Sequence, residues 1–282
     1  MDLYSIKVIK ELLRTHNTAS NNLLGQNFLL EKRVAAKMLR AAELSFKDTI
    51  LEIGPGIGTL TKELAKNAGR IIAVEKDPAM IKILEETVKT LSNVKIIQAD
   101  ILSLPRLRLA KEGYKLVANL PYYITSPVIR MFLEAKFPKP KLMVFMVQKE
   151  VAQRICVKSP DMNLLAVSVQ FYAEPKIVSF VRKGAFWPRP KVDSAILKIT
   201  PKKELPFVNP ALFFRIVKAG FKQPRKQLGN NLVQGLKLKR EEVETWLSQV
   251  GIAPTQRAET LSIKDWVSLA SSLPKLSLGV EN

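Results

Sequence analysis

The stretch Thr49-Ile50-Leu51-Glu52-Ile53-Gly54-Pro55-Gly56-Ile57-Gly58-Thr59-Leu60 constrains the fold more than any other part of the chain. An apolar run suited to a buried strand leads into glycines at alternate positions, and a helical apolar spacing follows through Leu60, Leu64 and Ala65. Glycines there let the backbone turn sharply and approach a ligand with no Cβ in the way. A G-x-G-x-G run also suits an ordinary tight turn. The nucleotide reading gains from Ile71-Ile72-Ala73-Val74-Glu75, a second strand-like run that ends in an acid. Glu75 lies 21 residues beyond Gly54, close to the ~20 expected of a carboxylate that accepts bonds from ribose hydroxyls. At this point the cofactor class is open.

Strand and helix patterns alternate from Thr49 onward. Strands are expected at 49–53, 70–75, 94–98, 115–119 and 142–147, with helices near 58–68, 78–91 and 126–135. Such repetition gives an α/β fold, a mostly parallel Rossmann-like sheet with helices on both faces. Ligands of these sheets bind outside the carboxyl ends of the strands. Gly54, Glu75, Asp100 and Asn119 stand at or just beyond four of those ends. Before the sheet, Leu3 to Leu13 has helical spacing, and a second helix is expected through Val34, Met38 and Leu39. The Gly25-Gln26-Asn27 cluster between them reads as a docking loop or as a lid over the cofactor. Later, 167–172, 177–181 and 194–199 read as strands that close one side of the sheet in antiparallel fashion. A Pro-bounded linker at 201–206 leads to helices at 210–220, 224–235, 240–249 and 262–272. The expected organisation is a first domain over 1–205, with a lid segment over about 1–45, and a small all-helical domain over 206–282.

Charge narrows the partners. The 282 residues hold 45 Lys+Arg against 25 Asp+Glu, a formal net of +20, spread along the whole length. An excess of this size attracts polyanions, and nucleic acid is the commonest of them. No apolar run reaches the roughly 18 residues of a membrane span, and the N-terminus lacks the pattern of a secretory signal. The single cysteine, Cys156, excludes an intramolecular disulfide and a Cys-rich zinc site. A cytoplasmic protein that uses no membrane and no metal is expected.

Asn119-Leu120-Pro121-Tyr122-Tyr123 follows the fourth strand. A side-chain amide, a carbonyl before proline and an aromatic ring within four residues suit an exocyclic amine on a flat base. The Asn119 oxygen and the Leu120 carbonyl can accept its two N–H bonds while Tyr122 stacks on the ring. The plainer reading, a strand end turned by proline with tyrosines in the core, loses ground because the peptide follows a glycine loop and two acids.

Here the chain resembles the ribosomal RNA adenine N6-dimethyltransferases of the small (16S) subunit. The resemblance runs through Gly25-Gln26-Asn27-Phe28-Leu29, Glu52 to Gly58, Val74-Glu75, Gln98-Ala99-Asp100, Asn119 to Ile124, Val147 to Ala152 and Phe186 to Ser194, in that order. It implies S-adenosylmethionine as cofactor and a methyltransferase domain followed by a helical RNA-binding one. It places Asn27 and Leu29 over the cofactor and Gly54 at its methionine end. Glu75 falls on the ribose, Asp100 on the adenine amine, and Asn119 on both cofactor and target. In the same way Leu120, Pro121 and Tyr122 receive the target adenine, with Phe186 stacking opposite Tyr122. Lys222, Arg225 and Lys226 match a basic RNA-binding segment of the family, although Pro224 and Gly229 stand where relatives usually carry arginine. Asn21-Asn22-Leu23-Leu24 likewise lacks a lysine common before the Gly-Gln-Asn-Phe-Leu motif.

The implied reaction is direct methyl transfer to N6, twice, on two adjacent adenosines in the 3′-terminal hairpin of 16S rRNA within the immature small subunit, by a monomer. The only histidine, His16, lies outside these motifs, and no His/Cys cluster suggests a metal. Three rivals stand beside it: a macrolide-resistance-type 23S methylase, an RNA-binding assembly factor without catalysis, and a dinucleotide oxidoreductase. The Asn119 to Ile124 and Phe186 to Ser194 peptides favour the first reading, and the Gly54, Glu75, Asp100 and Asn119 set opposes loss of catalysis.

Overall fold

The computed structural model describes residues 1–21, 24–103, 113–134 and 139–273. In chain order it contains α1 (Ile6–Thr15), β1 (Phe28–Leu29), α2 (Lys32–Ala42), β2 (Thr49–Ile53), α3 (Thr59–Ala65), β3 (Arg70–Glu75), α4 (Pro78–Val88), β4 (Val94–Gln98), β5 (Lys115–Asn119), α5 (Thr125–Glu134) and β6 (Leu142–Gln148). Then come α6 (Lys149–Cys156), α7 (Leu164–Tyr172), β7 (Ala173–Val181), β8 (Phe186–Trp187) and β9 (Ser194–Pro201). The chain continues through α8 (Pro210–Gly220), α9 (Leu228–Leu236), α10 (Arg240–Gln249) and α11 (Ile263–Ser271). Asn22 and Leu23, in the segment that lacks the family's usual lysine, lie outside the described residues.

Among the described residues one sheet has the order β4-β3-β2-β5-β6-β9-β7. The strands from β4 to β6 pair in parallel, and β9 runs antiparallel between β6 and β7, as the spacing predicts. Strands β2, β3, β5 and β6 are nearly continuous apolar runs because helices cover both faces. Met38 on α2 and Leu64 on α3 are fully buried in a core with Ile50, Val117 and Val144. α4 begins where expected: the Asp77 carboxylate accepts from the Ala79 N–H at 2.9 Å, and Pro78 fills the first turn.

At the opposite end of the strands, buried Asp48 accepts from Lys115 at 2.9 Å and Lys141 at 2.7 Å. Lys115 also donates to the Glu43 carbonyl. This cluster ties together the starts of β2, β5 and β6.

The chain divides into Met1–Gln153 with Ala173–Pro201, and Arg154–Tyr172 with the described residues from Lys202 onward. The expected boundary near 205 therefore shifts to 201/202, and 154–172 joins the helical unit. The expected strand at 167–172 is in fact α7. Valines and aromatics in alternation read as a strand, yet Asn163 accepts from the Ala166 N–H at 3.0 Å and starts a helix. Its Phe171 packs 4.2 Å from the Phe213 ring of α8. Packing overrides propensity here. In the same unit α8 is capped by Asn209, and α11 by the Ser262–Asp265 capping box.

Candidate active site

The sheet changes direction between β2 and β5: β3 and β4 lie to one side of this pair and β6 to the other. Open α/β sheets hold ligands at such a switch point. The glycine loop follows β2, and the Asn119 peptide follows its neighbour β5. Gly54 has φ +64°, and a Cβ there would stand 3.5 Å from Pro121, narrowing the gap between the two strand ends. Gly58 has φ +86°, and a Cβ there would fall 2.8 Å from Leu84 and 2.9 Å from the Thr87 hydroxyl. The first glycine keeps a cradle open. The second lets α3 start against α4.

Three carboxylates edge this cradle. Glu75 accepts from the Gly56 N–H at 3.1 Å through one oxygen, and from Lys76 at 2.8 Å and Asp77 at 2.9 Å through the other. Burial raises its pKa against the pull of those donors. Glu52 is 1% exposed, lines the same cavity, and its Oε2 has no partner. Desolvation pushes it up to about 8, with the Glu75 charge adding and the Thr61 hydroxyl opposing. Asp100 accepts from the Leu102 N–H at 2.9 Å and from the Lys76 ammonium at 2.8 Å. The lysine bond, ahead of the backbone one, holds its pKa below the ordinary carboxylate range.

Across the cavity the Asn119 amide donates to the Asn27 carbonyl at 3.0 Å, which leaves its Oδ1 to accept from a ligand. Asn27 in turn donates to the Gly25 carbonyl at 3.0 Å. Gln26 donates to the Asp77 carboxylate at 2.7 Å, pinning the same segment to the start of α4. The Tyr122 hydroxyl shares a 2.8 Å hydrogen bond with Ser194, the first residue of β9, and this fixes the tilt of its ring. Burial raises the phenol's pKa, so it stays protonated.

One cavity thus gathers Asn27, Leu29, Gly54, Glu75, Asp100, Asn119, Leu120, Pro121 and Tyr122, with a void of about 1120 Å³ including its open mouth. Phe186 is not among its lining. The residue is 3% exposed and packs within the core of the sheet domain. Instead β8 pairs with β1, opposing Leu29 to Phe186 and Phe28 to Trp187, and so anchors the segment that covers the cavity. Lys222, Arg225 and Lys226 are exposed in the turn between α8 and α9 of the helical unit. That turn is held by buried Asn231, which donates to the carbonyls of Gly220 and Gln223.

Glu52, Lys76 and Tyr123 also line the cavity, and the sequence pattern assigns them no role. Glu52 was hidden inside an apolar strand run, where alternation is lost. Lys76 was one basic residue among many. A charged residue in a strand otherwise buried on both faces is the signal that could have found Glu52.

Residues 17–275 match the ribosomal RNA adenine dimethylase family. The chain belongs to that family. It is 47% identical over 264 residues to the ribosomal RNA small subunit methyltransferase A of Dehalococcoides mccartyi, covering 92% of this chain and 90% of that one. It is 38% identical to the protein of the same name from Geobacillus thermodenitrificans, covering 95% of each. Among solved structures it resembles the 23S rRNA methyltransferase ErmE, with TM-score 0.71, 28% identity, and coverage of 88% of this chain and 99% of that one. A dimethyladenosine transferase from Plasmodium falciparum shares the fold, with TM-score 0.72, 24% identity, and coverage of 86% and 95%. As a ribosomal RNA adenine dimethylase the chain is a methyltransferase acting on rRNA adenine with S-adenosylmethionine as donor. The residues present fit that cofactor: the cradle has no Cβ at Gly54, and Glu52 offers a buried carboxylate oxygen without a donor.

Proposed function

We propose that this dimethylase modifies N6 of two adjacent adenosines in the 3′-terminal hairpin of 16S rRNA, within immature small subunits, as a cytoplasmic monomer that uses no metal. The observation that carries the reading is the Asn119 peptide beside the glycine cradle, with Asn119 Oδ1 turned away from its own amide's bond to Asn27. Bound in the cradle, S-adenosylmethionine supplies a methyl already activated on sulfonium sulfur. Gly54 admits its methionine end, with Glu52 facing a cationic group; Glu75 accepts from the ribose, and Asp100 from the adenine amine. Asn27 and Leu29 cover it.

Asn119 Oδ1 and the Leu120 carbonyl accept from the target amine and orient its lone pair, while Tyr122, fixed by Ser194, supports the base. Positioning and exclusion of water are the protein's contribution. His16 is bonded to Glu86 at 2.8 Å and is absent from the cavity lining, so the reaction runs without an imidazole base. Lys222, Arg225 and Lys226 contact phosphates and position the RNA without reading its sequence.

The 28% identity to a 23S rRNA methyltransferase keeps large-subunit RNA as the second reading. The relatives at 47% and 38% identity, both named for the small subunit, favour the first. The geometry is tested by single-turnover methyl transfer with Asn119→Ala and Tyr122→Phe. Asn119→Ala is expected to lose transfer while retaining RNA binding, and Tyr122→Phe to keep most of it. Normal turnover by Asn119→Ala would remove its amine-orienting role.

A further inference from the structure

We propose that Lys76 links cofactor binding to RNA binding by exchanging partners at Asp100. The inference rests on the reading of Asp100 as acceptor for the cofactor's adenine amine. Asp100 has one oxygen engaged by the Leu102 N–H at 2.9 Å, and the other by the Lys76 ammonium at 2.8 Å. The amine would join the ammonium on one carboxylate, and an oxygen shared between two donors holds each more weakly, so the two compete for Asp100.

The backbone of Lys76 is fixed, because its N–H donates to Glu75 at 2.8 Å. Its side chain is 56% exposed and can swing without disturbing the fold. An exposed ion pair of this kind opens at little cost. Once the amine occupies Asp100, the ammonium is released at the cavity mouth beside Tyr123 and Leu102, which are 55% and 41% exposed. An exposed aromatic ring next to a free cation is how proteins hold single-stranded nucleic acid: the ring stacks a base and the cation meets a phosphate. Cofactor binding thus loosens one positive charge from its pairing with Asp100 where the RNA carrying the target adenine arrives. By linkage, RNA tightens the cofactor by the same factor.

The test uses S-adenosylhomocysteine, whose neutral sulfur adds no charge of its own, and unmethylated small subunits at fixed magnesium and several potassium chloride concentrations. The ligand is expected to tighten subunit binding roughly two- to fivefold at low salt. It should also steepen the log–log salt dependence by about 0.7, the contribution of one added phosphate contact. Lys76→Met should abolish both effects while binding S-adenosylhomocysteine alone as well as the parent or better, since Asp100 has lost a competing donor. Lys76→Arg should keep both. Coupling that persists unchanged in Lys76→Met, or no coupling in the parent, overturns the proposal. Asp100→Ala separates the two levels. If it binds S-adenosylhomocysteine normally, the reading of the cofactor site fails; if it binds weakly while Lys76→Met still couples, only the role of Lys76 fails.

Discussion

Both oxygens of Glu75 already accept backbone N–H bonds, from Gly56 on one side and from Lys76 and Asp77 on the other. A carboxylate offers about four lone-pair sites, so a ribose hydroxyl can still be accommodated. Glu75 therefore shapes the loop and keeps acceptor capacity for the proposed ribose contact. Glu75→Ala is expected to weaken S-adenosylmethionine binding by about 1.5–3 kcal/mol, the range for a hydrogen bond to a charged group; calorimetry showing unchanged affinity would remove it from the cofactor site. The meeting of Glu75, Asp100 and Asn119 in one cavity was legible in the sequence because each is a polar group that interrupts a pattern at a strand end. The burial of Phe186 was not, because an aromatic in a Pro-rich peptide gives no sign of which way it faces. That burial accompanies the pairing of β8 with β1.

Elements were legible where periodicity is long and capped. Strands β2 to β6 and helix α4 fall close to their expected spans. α7 departs from its pattern: alternating valines and aromatics match a strand, yet the segment is a helix whose Phe171 packs beside Phe213. β1 and β8, two residues each, are too short to carry any period, and their pairing joins segments far apart in sequence. The Asp48 cluster joins the starts of three strands in the same hidden way. Burial disfavours the Asp48 charge, but hydrogen bonds from Lys141 and Lys115 outweigh it and hold the pKa well below the ordinary carboxylate range. Its folded value is thus below its unfolded one. The stability it adds is complete above the ordinary carboxylate range and is lost as pH falls below it. Asp48→Asn leaves Lys115 buried without a counter-charge and is expected to cost about 3–5 kcal/mol at neutral pH. Chemical denaturation from pH 7 down to 3 should show the variant's deficit shrinking with acid. A deficit that is constant across that range would contradict the ion-pair account.

At the scale of the whole molecule, the net charge of +20 says that the partner is a polyanion but not where it docks. The turn between α8 and α9 supplies three exposed cations on a backbone fixed by Asn231. Replacing Lys222, Arg225 and Lys226 together by glutamine should weaken RNA binding and lower the log–log salt slope by about 2–3, if each meets one phosphate. An unchanged slope would move the docking surface elsewhere. The fold class was legible from strand–helix alternation, and the place of the cavity from the glycine loop and the strand ends. The choice of RNA was not, because it depends on surfaces that no local pattern encodes. Methyl transfer from labelled S-adenosylmethionine to unmethylated small subunits and, in parallel, to 23S rRNA, with the modified bases mapped, decides which RNA is the substrate. Dimethylated N6 on two adjacent adenosines in the 3′-terminal hairpin of 16S rRNA is expected; label confined to 23S rRNA, or carried by another atom, would overturn the proposed function.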